Sequence, residues 1–352
     1  MPAAPSSLSH IARRVDARLQ LLLDTERTRW SAFDPDLAQP IDEIARLVLA
    51  GGKRLRPAFC HWGFVGAGGN PDDQRVIDAG AAFELMHAFA LFHDDVMDGS
   101  STRRGEPTTH IVMSELHEKN SWVGESRRFG EGAAILVGDL AFVYADQLLL
   151  GAPQPVWSIW NELRVELNFG QYLDMLGSAN SERRLVKAER ICRYKSGKYT
   201  IERPLQLGAL VTSAPLPTGV LEQLSAIGLP LGDAFQMRDD ILGVFGESSV
   251  TGKPAGDDLR EGKLTPLLAM AFDRATAAQR EVLDQVGTPQ ISHQSISDIQ
   301  QVIIETGALE ALESKISILV EQSMTAIRES SLSEVAVTRL IELAEFVASR
   351  KN

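Results

Sequence analysis

The stretch AAFELMHAFALFHDDVMD at residues 81–98 decides the fold. Its first twelve residues are mostly apolar without alternation, which is typical of a buried helix. On a helix Asp94 and Asp98 lie one turn apart on the same face, and Asp95 lies beside them. The stretch therefore predicts a core helix that ends in a cluster of carboxylates.

The rest of the chain repeats the helical pattern, with apolar residues three and four positions apart, as at Ile11, Val15 and Leu19. No stretch alternates apolar and polar residues for long enough to indicate a sheet. The predicted helices are 9–24, 41–50, 74–98, 132–150, 156–176, 184–212, 218–243, 264–273, 276–286, 294–305, 307–328 and 333–349. We therefore expect an all-α protein. We also expect a single helical domain over residues 1–352. Its predicted irregular segments are an N-terminal extension at 1–30, a loop insertion at 118–131 and a long connection at 244–263.

Composition excludes several classes of protein. The 352 residues are 44% hydrophobic and 23% charged, which suits a globular core. The net charge of −12 disfavours binding to nucleic acid. The two cysteines, Cys60 and Cys192, are too few for a disulfide scaffold or a cysteine-rich zinc site. No apolar run reaches the length of a membrane span and no signal peptide is evident, so we expect a cytoplasmic protein without a stable membrane anchor.

A second acidic patch lies in FQMRDDILG at residues 235–243. It repeats the adjacent aspartates on an apolar helix, but Gly243 stands where a third aspartate would complete the triplet. Neighbouring carboxylates at the edge of a core repel one another, and a divalent cation would remove that cost. Each patch alone is also consistent with a solvated helix end. Together they favour a shared site for magnesium, which binds one or two carboxylates and substrate phosphate.

Basic residues follow the same pattern of clustering. They lie in GGKRLRP at 51–57, at Arg103 and Arg104, in RYKSGK at 193–198, and at Lys253 and Lys263. Each group alone is typical of a solvated surface or an ion pair, and a lone histidine such as His87 in an apolar run is usually a core residue. Taken with the acidic patches, the cations predict a cavity that binds two diphosphate-bearing substrates.

In this order the motifs resemble the trans-isoprenyl diphosphate synthases, or polyprenyl synthases, over roughly residues 40–350. The motifs are GGKRLRP at 51–57, Glu84-x-x-His87 followed by DDVMD at 94–98, RRG at 103–105, KSG at 195–197, FQMRDD at 235–240, TGKPAGDDL at 251–259 and GKLTP at 262–266. The resemblance implies an all-helical antiparallel bundle around a deep central cavity, usually in a homodimer. Gly243 departs from the family pattern and is similar to some actinobacterial members.

The resemblance also implies roles for residues. Asp94 and Asp98 are expected to bind magnesium beside the allylic diphosphate with Asp95 in support, and Asp239 is expected to bind a further magnesium ion, assisted by Asp240. The family uses three such ions. The expected allylic diphosphate contacts are Arg103, Lys195, Lys253 and Lys263, and the expected isopentenyl diphosphate contacts are Lys53, Arg56, His87 and Arg104. Ser196 keeps the hydroxyl of the usual threonine, and Gln236 is expected near the reacting carbons.

The implied reaction is the magnesium-dependent head-to-tail condensation of isopentenyl diphosphate with dimethylallyl, geranyl or farnesyl diphosphate. Phe89 and Ala90, with Met86, are expected to set the product length below the first aspartate motif. An aromatic residue followed by a small one implies a twenty-carbon product, geranylgeranyl diphosphate.

Three alternatives remain open at this point. A class I terpene cyclase would need neither GGKRLRP nor the paired arginines. A non-catalytic partner subunit would be expected to lose most motif residues, whereas only one position is lost here. A helical scaffold with acidic clusters leaves the order of the motifs unexplained.

Overall fold

The computed structural model describes residues 5–212, 215–246, 256–288 and 291–348. Its helices are α1 (Ser6–Ser31), α2 (Ala38–Val48), α3 (Leu55–Gly66), α4 (Gln74–Asp98), α5 (Thr109–Lys119), α6 (Ser126–Leu148), α7 (Gln154–Ala179), α8 (Leu185–Ile191), α9 (Arg203–Val211), α10 (Val220–Phe245), α11 (Asp257–Glu261), α12 (Pro266–Arg274), α13 (Ala277–Leu283), α14 (His293–Glu305), α15 (Ala308–Glu329) and α16 (Glu334–Ala348). A 3₁₀-helix spans Pro35–Leu37, and a π-helix, Cys192–Glu202, lies between α8 and α9. Two short antiparallel strands, β1 (Thr102–Arg103) and β2 (Glu106–Pro107), pair Thr102 with Pro107. The prediction of an all-α protein is confirmed.

The chain forms two compact units. The N-terminal unit contains residues 6–61 and 70–152, and the C-terminal unit contains residue 5, residues 62–69 and the described residues from 153 onward. The expectation of a single domain stays a prediction.

In the N-terminal unit, α4 packs along α6 and contacts α1 and α2. Asp73 caps α4 by accepting a hydrogen bond from the Arg75 backbone N–H, and Gly99 ends it with a left-handed φ of 66°. Its bounds match the predicted helix at 74–98. The N-terminal extension is a long helix, α1, whose predicted apolar stripe is buried: Ile11, Val15, Leu19, Leu22 and Leu23.

By length and hydropathy alone, α4 is long and apolar enough to cross a membrane. This contradicts the expectation that no apolar run reaches the length of a membrane span. Its most apolar 18-residue window has a mean hydropathy of 1.2, yet 72% of that window is buried inside the fold. This burial is typical of a core helix, because a membrane helix exposes its apolar side chains to lipid.

In the C-terminal unit, α10 packs along the π-helix and α15. Two glycines let the π-helix approach its neighbours through backbone contacts. A Cβ atom on Gly170 of α7 would lie 2.4 Å from the Lys195 backbone nitrogen, and one on Gly232 of α10 would lie 2.4 Å from the Gly197 carbonyl oxygen. The KSG motif at 195–197 is therefore held closely between α7 and α10.

Several predicted boundaries are wrong. Residues 118–131 are not one loop, because α5 continues to Lys119 and α6 begins at Ser126. Gly130 is a packing glycine and not a loop residue, since its Cβ would lie 2.2 Å from the His110 carbonyl oxygen of α5. The spacing of apolar residues did not predict helices α3 and α5. The predicted helix at 184–212 is interrupted by the π-helix, and the short helix α11 lies within the predicted connection at 244–263.

Candidate functional site

The predicted carboxylates of the first motif lie at the C-terminal end of α4. Asp95 is 4% exposed and accepts hydrogen bonds from Arg103 Nε at 2.9 Å and Nη2 at 2.6 Å. Asp94 is half-buried and Asp98 is exposed. The C-terminal end of a helix carries partial negative charge, so carboxylates there are unfavourable and a bound cation is favourable. The end of α4 therefore has the chemistry of a cation site.

Arg103 and Arg104 lie on the hairpin that follows α4. Burial lowers the pKa of Arg103, but its hydrogen bonds with Asp95 and the charge of that carboxylate raise the pKa above its ordinary value. The turn between the strands has positive φ at Arg104 (54°) and Gly105 (81°), the conformation of a tight two-residue hairpin. Arg104 Nη1 donates to the Gly51 carbonyl oxygen at 2.8 Å. The hairpin is thereby joined to the GGKRLRP loop.

Arg54 is an important residue of this loop that sequence reasoning missed. It is 6% exposed, pairs with Glu84 at 2.5 Å and with Asp16 at 2.7 Å, and donates to the Val48 carbonyl oxygen. A buried glutamate in an apolar helix requires a partner, so Glu84 was the signal that could have revealed this pair. Arg54 fixes the segment in which Lys53 lies just before α3 and Arg56 lies in the first turn of α3.

Positive charge is concentrated around His87 of α4. Burial lowers the pKa of His87 well below its ordinary value, and the charges of Arg56, Arg104, Arg103 and Arg54 lower it further. The pKa of Arg104 is likewise lowered by burial and by the charges of its arginine neighbours. The structure thus brings together three of the residues predicted to contact isopentenyl diphosphate: Arg56, His87 and Arg104. Lys53, the fourth, is exposed on the adjoining loop. A neutral histidine surrounded by arginines suits a multiply charged anion.

Replacing Arg54 by alanine is expected to lower the free energy of unfolding by about 3–5 kcal/mol, because Glu84 would remain buried without its cation. Urea unfolding followed by circular dichroism measures this change. Arg27→Ala is the matched control, since Arg27 pairs with Asp42 on the surface and its loss is expected to cost less than about 1 kcal/mol. Equal losses in the two variants would contradict the structural role of Arg54.

The second acidic motif lies on α10 in the C-terminal unit. Asp240 is 5% exposed, and its Oδ1 accepts a hydrogen bond from Gln236 Nε2 at 2.9 Å. Within the described part of the chain, its Oδ2 atom is buried and accepts no hydrogen bond. Burial raises the pKa of Asp240 well above its ordinary value, and the charges of Asp258, Asp239 and Asp174 raise it further.

These residues fit a magnesium ion. A buried carboxylate oxygen without a hydrogen bond is costly, and so are neighbouring carboxylates, but a divalent cation offsets both costs. Over the described ranges of the chain, no three His, Cys, Asp or Glu side chains form a metal centre built from protein alone. Magnesium needs no such centre, because it is usually bound through one or two carboxylates, water and substrate phosphate.

The predicted cations of this unit lie beside carboxylates. Lys195 Nζ pairs with Asp174 Oδ2 at 2.6 Å, and Lys263 pairs with Glu261. Ser196 is half-buried in the π-helix, a rare element that is frequent at functional sites. Lys253 lies outside the described residues.

The residues predicted to limit product length lie on α4, one to two turns before Asp94. Met86 is fully buried, whereas Phe89 and Ala90 are half-buried. The Phe89 ring contacts Phe142 of α6 with centroids 4.8 Å apart and His93 with centroids 4.7 Å apart. Phe89 is therefore one member of an aromatic cluster, and the contribution of Phe142 was not predicted.

Comparison with known proteins gives consistent results. A family model described as polyprenyl synthetase matches residues 38–305. The geranylfarnesyl diphosphate synthase of Aeropyrum pernix is 32% identical over 286 residues, which cover 79% of this chain and 83% of that protein. The geranylgeranyl diphosphate synthase of Saccharolobus solfataricus is 31% identical over 319 residues, covering 87% of this chain and 88% of that protein. The crystal structure of geranylgeranyl pyrophosphate synthase from Corynebacterium glutamicum, complexed with isoprenyl diphosphate and magnesium, has a TM-score of 0.91 and 34% identity, and the match covers 97% of this chain and 99% of that one.

Proposed function

The chain belongs to the polyprenyl synthetase family and is a prenyltransferase, and we propose that it condenses isopentenyl diphosphate head to tail with an allylic diphosphate. The observation that carries this proposal is the group of arginines around His87, in the same unit as the carboxylates of α4. In an acidic protein, such a group is suited to a diphosphate. A cyclase has no need of this second anion site.

We assign the isopentenyl diphosphate to Lys53, Arg56, His87 and Arg104. Arg56 and Arg104 supply positive charge, while the neutral His87 ring offers a hydrogen bond without adding to their repulsion. The allylic diphosphate is assigned to Arg103, Lys195, Lys253 and Lys263. Asp95 fixes the guanidinium of Arg103 through two hydrogen bonds and so orients it.

Magnesium would be held by Asp94 and Asp98 at the end of α4 and by Asp239, assisted by Asp240, on α10. We propose three ions, which when bound neutralise the diphosphate so that it is a better leaving group. In the proposed reaction the allylic C–O bond breaks and a carbon–carbon bond forms to isopentenyl diphosphate. The proton lost from isopentenyl diphosphate passes to the released diphosphate. Gln236, hydrogen-bonded to Asp240, is assigned a place near the reacting carbons.

We propose geranylgeranyl diphosphate as the product, with dimethylallyl, geranyl and farnesyl diphosphates as candidate primers. The support is the aromatic cluster of Phe89, which closes the space before Asp94 more tightly than small residues would. The named relatives include synthases of products with different lengths, so this assignment rests on the chain's own residues.

We also propose a cytoplasmic homodimer. Helix α6 exposes Leu136 and Val143, and helix α7 exposes Phe169 and Tyr172. Exposed apolar side chains grouped on a helix are typical of a surface that another chain covers. Light scattering of the purified protein measures the number of chains.

A product assay tests the proposed function. The protein is incubated with magnesium, labelled isopentenyl diphosphate and one primer of five, ten or fifteen carbons, and the products are sized. A twenty-carbon product from at least one primer is the expected result. Failure to consume isopentenyl diphosphate with every primer would contradict the proposal and favour a cyclase or a partner subunit.

A further inference from the structure

Asp233 of α10 is a buried carboxylate whose partner lies on the π-helix. Its side chain is 6% exposed and accepts hydrogen bonds from Arg193 Nη2 at 2.5 Å and from Arg193 Nε at 3.2 Å. Burial raises the pKa of Asp233 above its ordinary value, and the hydrogen bonds and charge of Arg193 are the largest opposing effects. Since a buried carboxylate is costly without a cation, Arg193 is the main reason that this charge is tolerated.

The same carboxylate also meets the π-helix about one turn later. A Cβ atom built on Gly197 would lie 3.2 Å from Asp233 Oδ1 and 3.1 Å from the Gly232 carbonyl carbon. In a π-helix the hydrogen bonds join residues five apart, so the segment 193–197 is close to one turn. Asp233 therefore lies against both ends of this turn, and Lys195 and Ser196 lie between them.

Helix α7 holds the other side of the turn. A Cβ atom on Gly170 would lie 2.4 Å from the Lys195 backbone nitrogen, so the two backbones are in direct contact. Lys195 Nζ pairs with Asp174 Oδ2 at 2.6 Å, and Asp174 lies one helical turn after Gly170. The position of the Lys195 ammonium group thus depends on how the turn is placed between α7 and α10.

We propose that Asp233 is a positioning residue for the allylic diphosphate site. Through Arg193 and Gly197 it fixes the turn of the π-helix that presents Lys195 and Ser196 to the diphosphate. This inference rests on the proposed function, which assigns Lys195 to that diphosphate. Loss of the Asp233 charge would displace Lys195 and weaken the allylic site, whereas the isopentenyl diphosphate is assigned to residues of the N-terminal unit.

The first test is Asp233→Asn, which keeps the shape of the side chain and removes its charge. The KM for farnesyl diphosphate is expected to rise about tenfold, since a displacement of about 1 Å can cost up to about a hundredfold. The KM for isopentenyl diphosphate is expected to stay unchanged. A wild-type KM for farnesyl diphosphate, or an equal rise for both substrates, would overturn the inference.

Glu166→Gln is the matched control. Glu166 of α7 is buried and pairs with Lys198 and with Arg203, so this variant also removes a buried charge that contacts the π-helix, but beyond the turn 193–197. Its melting temperature is expected to fall at least as far as that of Asp233→Asn, with a smaller rise in the KM for farnesyl diphosphate. Equal rises in KM at equal losses of stability would show that Asp233 acts through stability alone.

Arg193→Gln tests the route of the effect. If Asp233 acts through Arg193, this variant raises the same KM, and the double variant with Asp233→Asn is no worse than either single one. Arg193→Lys keeps the charge but loses the paired hydrogen bonds, so its KM is expected to lie between those of wild type and Arg193→Gln. Effects that multiply in the double variant would contradict the route through Arg193.

Binding of inorganic diphosphate with magnesium, measured by calorimetry, separates this inference from the proposed function. If wild type consumes isopentenyl diphosphate and Asp233→Asn binds inorganic diphosphate about tenfold more weakly, both are supported. If wild type is active and Asp233→Asn binds it equally well, only the inference fails. If wild type consumes no isopentenyl diphosphate, the proposed function fails, and the binding measurement still decides whether Asp233 supports an anion site at Lys195.

Discussion

Replacing Asp94 by asparagine is expected to lower the turnover number about 10²- to 10³-fold, the usual cost of removing one group that stabilises developing charge. Asparagine keeps the shape of the side chain but loses the negative charge proposed to bind magnesium. Stability is expected to change in the opposite direction. Asp94 lies one turn before Asp98 at the C-terminal end of α4. Removing its charge relieves the repulsion between the two carboxylates, so the free energy of unfolding should rise by about 0.3 kcal/mol.

The pair of measurements distinguishes a functional role from a structural one. Turnover is measured at saturating substrate and magnesium, and stability by thermal unfolding. Asp72→Asn is the matched control, because Asp72 is exposed just before α4 and is expected to leave both quantities unchanged. An Asp94→Asn variant with wild-type turnover would contradict the assignment of Asp94, and one that melts well below wild type would indicate a structural role instead.

Sequence reasoning succeeded where local signals determine the structure. Helix α4 was predicted at its observed bounds from its apolar run, and the structure shows that local signals end it, since Asp73 caps its start and Gly99 terminates it. It failed where a distant contact decides the outcome. Gly130 reads as a loop residue until α5 is seen to pack against it, and the π-helix depends on the close approach of Gly170 and Gly232.

The candidate site shows the same division. The acidic and basic residues were identified because unusual charges recur at the ends of apolar helices. The partners of those charges were not identified, since Arg54 reaches Asp16 and Glu84 across many residues of chain. Gly243 was read as the loss of a carboxylate, and the sequence does not show that the Asp258 carboxylate occupies the space that a side chain there would need. Residue types indicate chemistry, but only the fold assigns each charge to its partner.

Replacing Phe89 by alanine is expected to lengthen the product beyond twenty carbons by at least one five-carbon unit. The Phe89 ring packs between His93 and Phe142, so its removal opens space on α4 before Asp94. A product chain that ends against this ring in the wild type would then continue past it. Because Phe89 is half-buried, the loss of stability should be at the lower end of the range for aromatic truncations, about 3 kcal/mol.

Product lengths are measured by chromatography after incubation with farnesyl diphosphate and labelled isopentenyl diphosphate. Phe129→Ala is the control, since it removes an aromatic ring from an exposed position on α6 outside the cluster of Phe89. Phe142→Ala tests the same cluster from its other side and should also lengthen the product, because Phe89 would lose the ring that supports it. If Phe89→Ala makes the wild-type product, the limit on chain length lies elsewhere. If Phe142→Ala alone lengthens it, α6 rather than α4 supplies the barrier.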